Sequence, residues 1–167
     1  LSTPRFMTTP PRPDNLTATA AVTRLKAGNQ RYIEERQTPP LSVRARRLEL
    51  LNTQCPFATV ITCSDSRVPP ELIFAQDPGN LFVVRVAGNI CDDAVLGTVE
   101  YGALHLGINL VVVMGHRNCG AVAATVDNLD LAGPATHNHI DTLIDAIRPA
   151  LDHIDADSKA AFVDAGV

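Results

Sequence analysis

The chain has 167 residues, 46% hydrophobic and 19% charged, with a formal net charge of −4. That length suits one domain with enough side chains for a real core. The negative balance, with no dense Lys/Arg cluster, argues against nucleic acid as a partner, and no run approaches the roughly 18 apolar residues of a membrane span.

Residues 1–14 hold Pro4, Pro10, Pro11 and Pro13 and show no apolar period, which predicts an extended arm ahead of a single domain over 15–167. From Leu16 to Glu35, the residues Val22, Leu25, Tyr32 and Ile33 fall near helical spacing, with Asn15 or Thr17 as the cap. Thr38-Pro39-Pro40 breaks that helix, and a second short one is predicted over Ser42 to Asn52. Arg44, Arg46 and Arg47 on it read as a solvated face. The character then changes. Phe57 to Thr62, Leu81 to Val86 and Leu110 to Met114 are short apolar, β-branched runs bounded by Pro, Gly and Asn. Runs apolar on both faces that alternate with helices predict an α/β domain with a parallel-sheet core flanked by helices. Ala94 to Leu106 supplies a crossover helix and Asn118 to Val126 another. Ile140 to Ile154 reads as a further amphipathic helix, with a kink or break expected at Pro149.

Four cysteines are too few for a disulfide scaffold in a chain of this size. Cys55, just before a strand, and Cys91, in a loop, read as free thiols. The other two have a better use. Cys63 directly follows the first strand run, and His116 and Cys119 follow the third. Ligands in an open parallel sheet gather beyond the carboxyl ends of the strands, so the three donors converge if those strands are neighbours. Placing Cys119 in the first turn of the next helix puts it on one side with His116. Two thiolates and one imidazole leave a tetrahedral zinc ion one position short of closure, the arrangement of a catalytic rather than a structural site. Such a centre is formally neutral, a weaker Lewis acid than zinc on three histidines, so something must orient the hydroxide it forms. Asp65 is close enough in sequence to do so, and Arg67 can hold it ionised through a bidentate pair. An isolated Asp at this point would instead read as the cap of the helix announced by Pro69, Pro70 and Glu71.

Cys63-Ser64-Asp65-Ser66-Arg67 after one strand and His116-Arg117-Asn118-Cys119-Gly120 after a later one resemble the β-class carbonic anhydrases. The resemblance runs from Leu16 through Val126. It takes in Asn29 to Tyr32 as the family's first-helix motif, Phe82 to Asn89 as its second strand and Glu100 to Leu106 as its central helix. It implies a zinc-dependent enzyme that reversibly hydrates carbon dioxide to bicarbonate and a proton by attack of zinc-bound hydroxide. By position it implies Cys63, His116 and Cys119 as ligands to one zinc ion per chain, and Asp65 and Arg67 as the orienting dyad. Gln54, Phe82, Ala87 and Tyr101 match its substrate-binding positions. Without the family, those apolar residues would read as core and Gln54 as surface.

Family members that close the site by placing the Asp on zinc use a Trp three residues before the first Cys. Val60 stands there, although Arg85 matches another residue of that arrangement, so an open site with Asp65 paired to Arg67 is expected. Members pair into homodimers or tetramers, and they usually continue into a helix and an edge strand that this sequence does not display. The first twenty residues lack a charged segment followed by an apolar run, which predicts a cytoplasmic location. Because the chain begins at Leu1, a removed leader and a periplasmic location stay open. Two other functions remain in view: hydrolysis of carbon disulfide or carbonyl sulfide on the same zinc, and a catalytically silent zinc-binding domain. A thiol redox protein is disfavoured by the absence of Cys-x-x-Cys.

Overall fold

In the computed structural model, which describes residues 15–36, 43–129 and 138–151, Thr17 starts the first helix, its Oγ1 accepting from Ala20 N at 3.3 Å. Helix α1 (Ala18–Ile33) buries Ala21, Leu25 and Gly28 along one side. Gly28 is required by proximity: a Cβ there would lie 1.8 Å from the Phe74 carbonyl oxygen, just past the short helix α3 (Pro70–Ile73). Asn29 Nδ2 donates to Ile73 O at 3.1 Å and an Arg31 guanidinium nitrogen to Ala75 O at 3.3 Å, so polar contacts lock this approach. The expected proline-rich arm, the Thr38-Pro39-Pro40 break and everything after Leu151, including the place of an edge strand, lie outside the described residues.

Helix α2 (Val43–Glu49) is shorter than the sequence suggests. Of its basic run, Arg46 is structural: its Nε donates to Pro78 O at 3.0 Å and it pairs with Glu49. Strands β1 (Ala58–Thr62), β2 (Leu81–Arg85) and β3 (Val111–Met114) form a parallel sheet in the order β2-β1-β3. All five residues of the central β1 are buried, because a strand flanks each edge and helices lie over both faces. Helix α1 covers the face of Ala58 and Val60, building a core with Leu25, Phe57 and Leu81. Helix α4 (Asp93–Leu106) covers the other, with Gly102 against Thr59 and Phe82. Asp92 caps α4, its carboxylate accepting from Val95 N at 2.8 Å, and Asn15 Nδ2 donates to the Leu106 carbonyl at the far end at 2.7 Å.

The third strand departs from the sequence reading. Val111 is 44% and Val113 63% exposed, although the run is apolar on both faces. Both lie on the α4 side of the sheet, where α4 packs over β1 and β2. Helices α5 (Gly120–Asp127) and α6 (His139–Leu151) pack on each other and on a 3-10 turn at Ala87–Asn89. No break occurs at Pro149, since α6 runs through it to Leu151. Among the described residues no helix is long and apolar enough to cross a membrane.

Candidate metal centre

Thr62, the last residue of β1, pairs with Met114, the last of β3, so the two following loops leave the sheet side by side. Cys63 continues directly from Thr62, and His116 comes one residue after Gly115. The sulfurs of Cys63 and Cys119 are 3.8 Å apart, and with the His116 ring their ligand atoms all lie within 4.8 Å of one another. Both thiols are buried.

Cys119 sits differently from the sequence expectation. It is not in the first turn of α5 but caps it, with extended backbone (φ −73°, ψ 114°). The fold back toward His116 comes instead from Asn118, in the left-handed region at φ 54°. Asn tolerates that region better than most residues.

His116 Nδ1 lies 2.8 Å from Arg117 O. A carbonyl can only accept, so the proton is on Nδ1 and the Nε2 lone pair is free. That Nε2 is buried and without a hydrogen-bond partner. A buried polar atom left unsatisfied costs about 1–3 kcal/mol, so the ring is oriented for a ligand other than protein. Cys63 is prepared as well. Burial pushes its thiol up, but its polar surroundings, the adjacent His116 ring first, then the backbone N–H groups of Asp65 and Gly88 and the Cys119 thiol, outweigh this and bring it from 9.0 down to about 7. The Gly88 N–H points at Cys63 Sγ from 3.4 Å, from a residue at φ 67° where glycine meets no steric penalty.

Asp65 Oδ2 stands 4.0 Å from His116 Nε2. The Arg67 guanidinium grips the carboxylate through both oxygens, Nε to Oδ1 at 2.9 Å and a terminal nitrogen to Oδ2 at 2.7 Å, and the Arg67 N–H adds a third bond to Oδ1 at 2.9 Å. These bonds hold the carboxyl well below the usual carboxylate range and raise the guanidinium further. Asp65 caps no helix, since α3 starts at Pro70 behind Pro69. Arg67 also donates to Asn118 O at 3.1 Å, tying the loop after β1 to the loop after β3.

The other candidate positions divide. Ala87 immediately precedes Gly88 and so lies beside the cluster. Phe82 pairs with Thr59, four residues before Cys63, which puts it about 13 Å down the sheet. There it stacks on Tyr101 with ring centroids 6.2 Å apart, and Tyr101, half exposed, meets His105 at 4.9 Å. Gln54 is exposed and precedes β1, at the end of the strand opposite Cys63. One chain therefore gathers Cys63, Asp65, Arg67, Ala87, His116 and Cys119 but not Gln54, Phe82 or Tyr101. Sequence reasoning missed the Gly88 amide and the Asn118 turn. The Gly88-Asn89 pair after a strand signalled a turn, but nothing in it indicated a thiol partner.

Two thiols, an imidazole with a free lone pair and a clamped carboxylate beyond adjacent parallel strands define an α/β domain with a cluster able to hold a metal ion. Residues 58–165 match the family model described as carbonic anhydrase, and the chain belongs to that family. A carbonic anhydrase of Mycolicibacterium smegmatis is 39% identical over 137 residues, covering 82% of this chain and 66% of the relative. Carbonic anhydrase 2 of Mycobacterium tuberculosis is 37% identical with the same coverage of 82% and 66%. The chain thus spans just under two thirds of the length of these curated relatives. Among solved structures, the β-carbonic anhydrase CafA of Aspergillus fumigatus superposes with a TM-score of 0.60 at 25% identity, over 89% of this chain and 69% of that one. A Coccomyxa β-carbonic anhydrase in complex with acetazolamide gives 0.60 at 27% identity, over 87% and 67%. These neighbours put the chain in the β class.

Proposed function

We propose that this chain carries the zinc site of a β-class carbonic anhydrase that interconverts carbon dioxide and water with bicarbonate and a proton. The observation that carries the reading is the convergence of Cys63, His116 and Cys119 within 4.8 Å, beside a carboxylate locked by Arg67. Zinc suits this donor set. Thiolate arms of about 2.3 Å in a tetrahedron place two sulfurs about 3.8 Å apart, and Cys63 and Cys119 have that spacing. With three protein ligands and a fourth position left open, zinc would supply a water acidified enough to serve as nucleophile near neutral pH.

The chain's own residues would do the rest. Asp65, ionised and 4.0 Å from the His116 ring nitrogen, is the acceptor that would hold the nucleophile's hydrogen and turn its lone pair toward carbon. Arg67 would keep that carboxylate anionic and fixed without touching substrate. Because the two charges of the dyad cancel, it adds no net charge to a site that must release a bicarbonate anion. Ala87 would line the pocket beside the thiolates. Gln54, Phe82 and Tyr101 would bind substrate only across an interface, so the reading includes a homodimer or tetramer in which one copy completes another's site.

Stopped-flow carbon dioxide hydration, run alongside zinc analysis, tests the proposal. The expected result is one zinc per chain and turnover that a chelator abolishes and zinc restores. Zinc bound without turnover on carbon dioxide would overturn it and favour the silent zinc-binding domain.

A further inference from the structure

We infer that Arg85 is a positioning residue for the metal loop, acting through main-chain oxygens. Arg85 closes β2 and pairs in register with Thr62, which closes β1. The last ladder bond between these strands runs from Val86 N to Thr62 O at 3.1 Å. Beyond it the loop from Cys63 to Arg67 leaves the sheet, and its carbonyls no longer face a strand. The half-buried Arg85 side chain supplies donors there in place of a strand: Nε donates to Cys63 O at 3.0 Å and a terminal nitrogen donates to Asp65 O.

The two oxygens matter because of what flanks them. One belongs to a metal-ligand candidate and the other to the carboxylate candidate, two residues apart. Holding both carbonyls on one planar fork fixes the peptide planes after Cys63 and Asp65, and so the separation between thiolate and carboxylate. Hydrogen bonds to charged donors in partly buried surroundings are among the stronger ones available. Arg67 holds the Asp65 carboxylate, where Arg85 holds that residue's main-chain oxygen, and it also reaches Asn118 O, so the loop is pinned between two arginines.

The inference rests on the zinc reading above. Its test compares variants with the wild-type protein, so the two can fail separately. Arg85→Met keeps the aliphatic stem and removes both donors, while Arg85→Lys keeps the charge but can satisfy one carbonyl. Loss of an outer partner of a metal ligand typically costs about 10–100-fold in metal affinity. Arg85→Met is therefore expected to weaken zinc binding by that factor in chelator competition, with Arg85→Lys intermediate. The cobalt-substituted variants should show altered thiolate-to-metal and ligand-field absorption, a signature that general destabilisation of a still-folded protein would not produce. If Arg85→Met fails to fold, Arg85→Lys decides by the same two measurements. Wild-type zinc affinity and an unchanged cobalt spectrum in the folded variants would overturn the inference. Absence of zinc uptake by the wild-type protein would instead overturn the functional reading, and this inference with it.

Discussion

At the scale of single residues, the site is prepared by hydrogen bonds to its ligand candidates. The Cys63 thiol stands near 7 because its donors outweigh its burial. A lowered thiol pKa favours the thiolate, so at neutral pH metal competes with fewer protons than at an ordinary thiol and loses ground as pH falls further. In zinc-free protein carrying Cys55→Ser and Cys91→Ser, ultraviolet thiolate absorbance should show one ionisation centred near 7; none below 9.0 would contradict the hydrogen-bond account. Asp65 is shifted in the same direction. Its pKa is depressed by Arg67, so the pair's contribution is present above the ordinary carboxylate range and is lost only as pH falls through the lowered folded value. Asp65→Ala should retain zinc but lower kcat by about 100-fold or more, the usual worth of a positioned proton acceptor. Full activity with full zinc content would remove Asp65 from the mechanism.

Among the elements, the β1–β3 pairing does most to create the site, because it sets two loops side by side at the carboxyl edge. The α1–α3 contact supports it from below, since α3 belongs to the connection that begins with Cys63. Gly28 is the test of that contact. In a helix interior, Gly→Ala ordinarily gains about 0.5–1 kcal/mol. Here the added Cβ would lie 1.8 Å from Phe74 O, and overpacking of that kind costs about 1–3 kcal/mol. The clash wins, so Gly28→Ala should lower the denaturation midpoint, whereas a stabilised variant would mean that α1 and α3 do not meet this closely.

For the whole molecule, the apolar surface left on one chain is the informative feature. Val111 and Val113 on β3 and Tyr101 and Leu104 on α4 are all exposed. Zinc-loaded protein should sediment at no less than twice the 17.9 kDa chain mass. A monomer with full activity would exclude a second copy as the source of Gln54, Phe82 and Tyr101 in the site. The sequence by itself determined the local patterns: the order of strands and helices, the three donors and the Asp65-Arg67 motif are each readable from their own neighbours. Periodicity and turn residues report what a segment does, and ligand spacing reports what a loop can hold. The tertiary structure alone decided which strand lies beside which, and with it the meeting of Cys63 with His116 and Cys119. It also decided that Asn118, not a helical turn, folds Cys119 back, and that Arg85 reaches two carbonyls twenty and more residues away. Within one chain it set Phe82 and Tyr101 apart from the cluster. Long-range pairings depend on how the sheet is assembled, and residues that meet only when the strands are in register leave no mark in any single stretch of sequence.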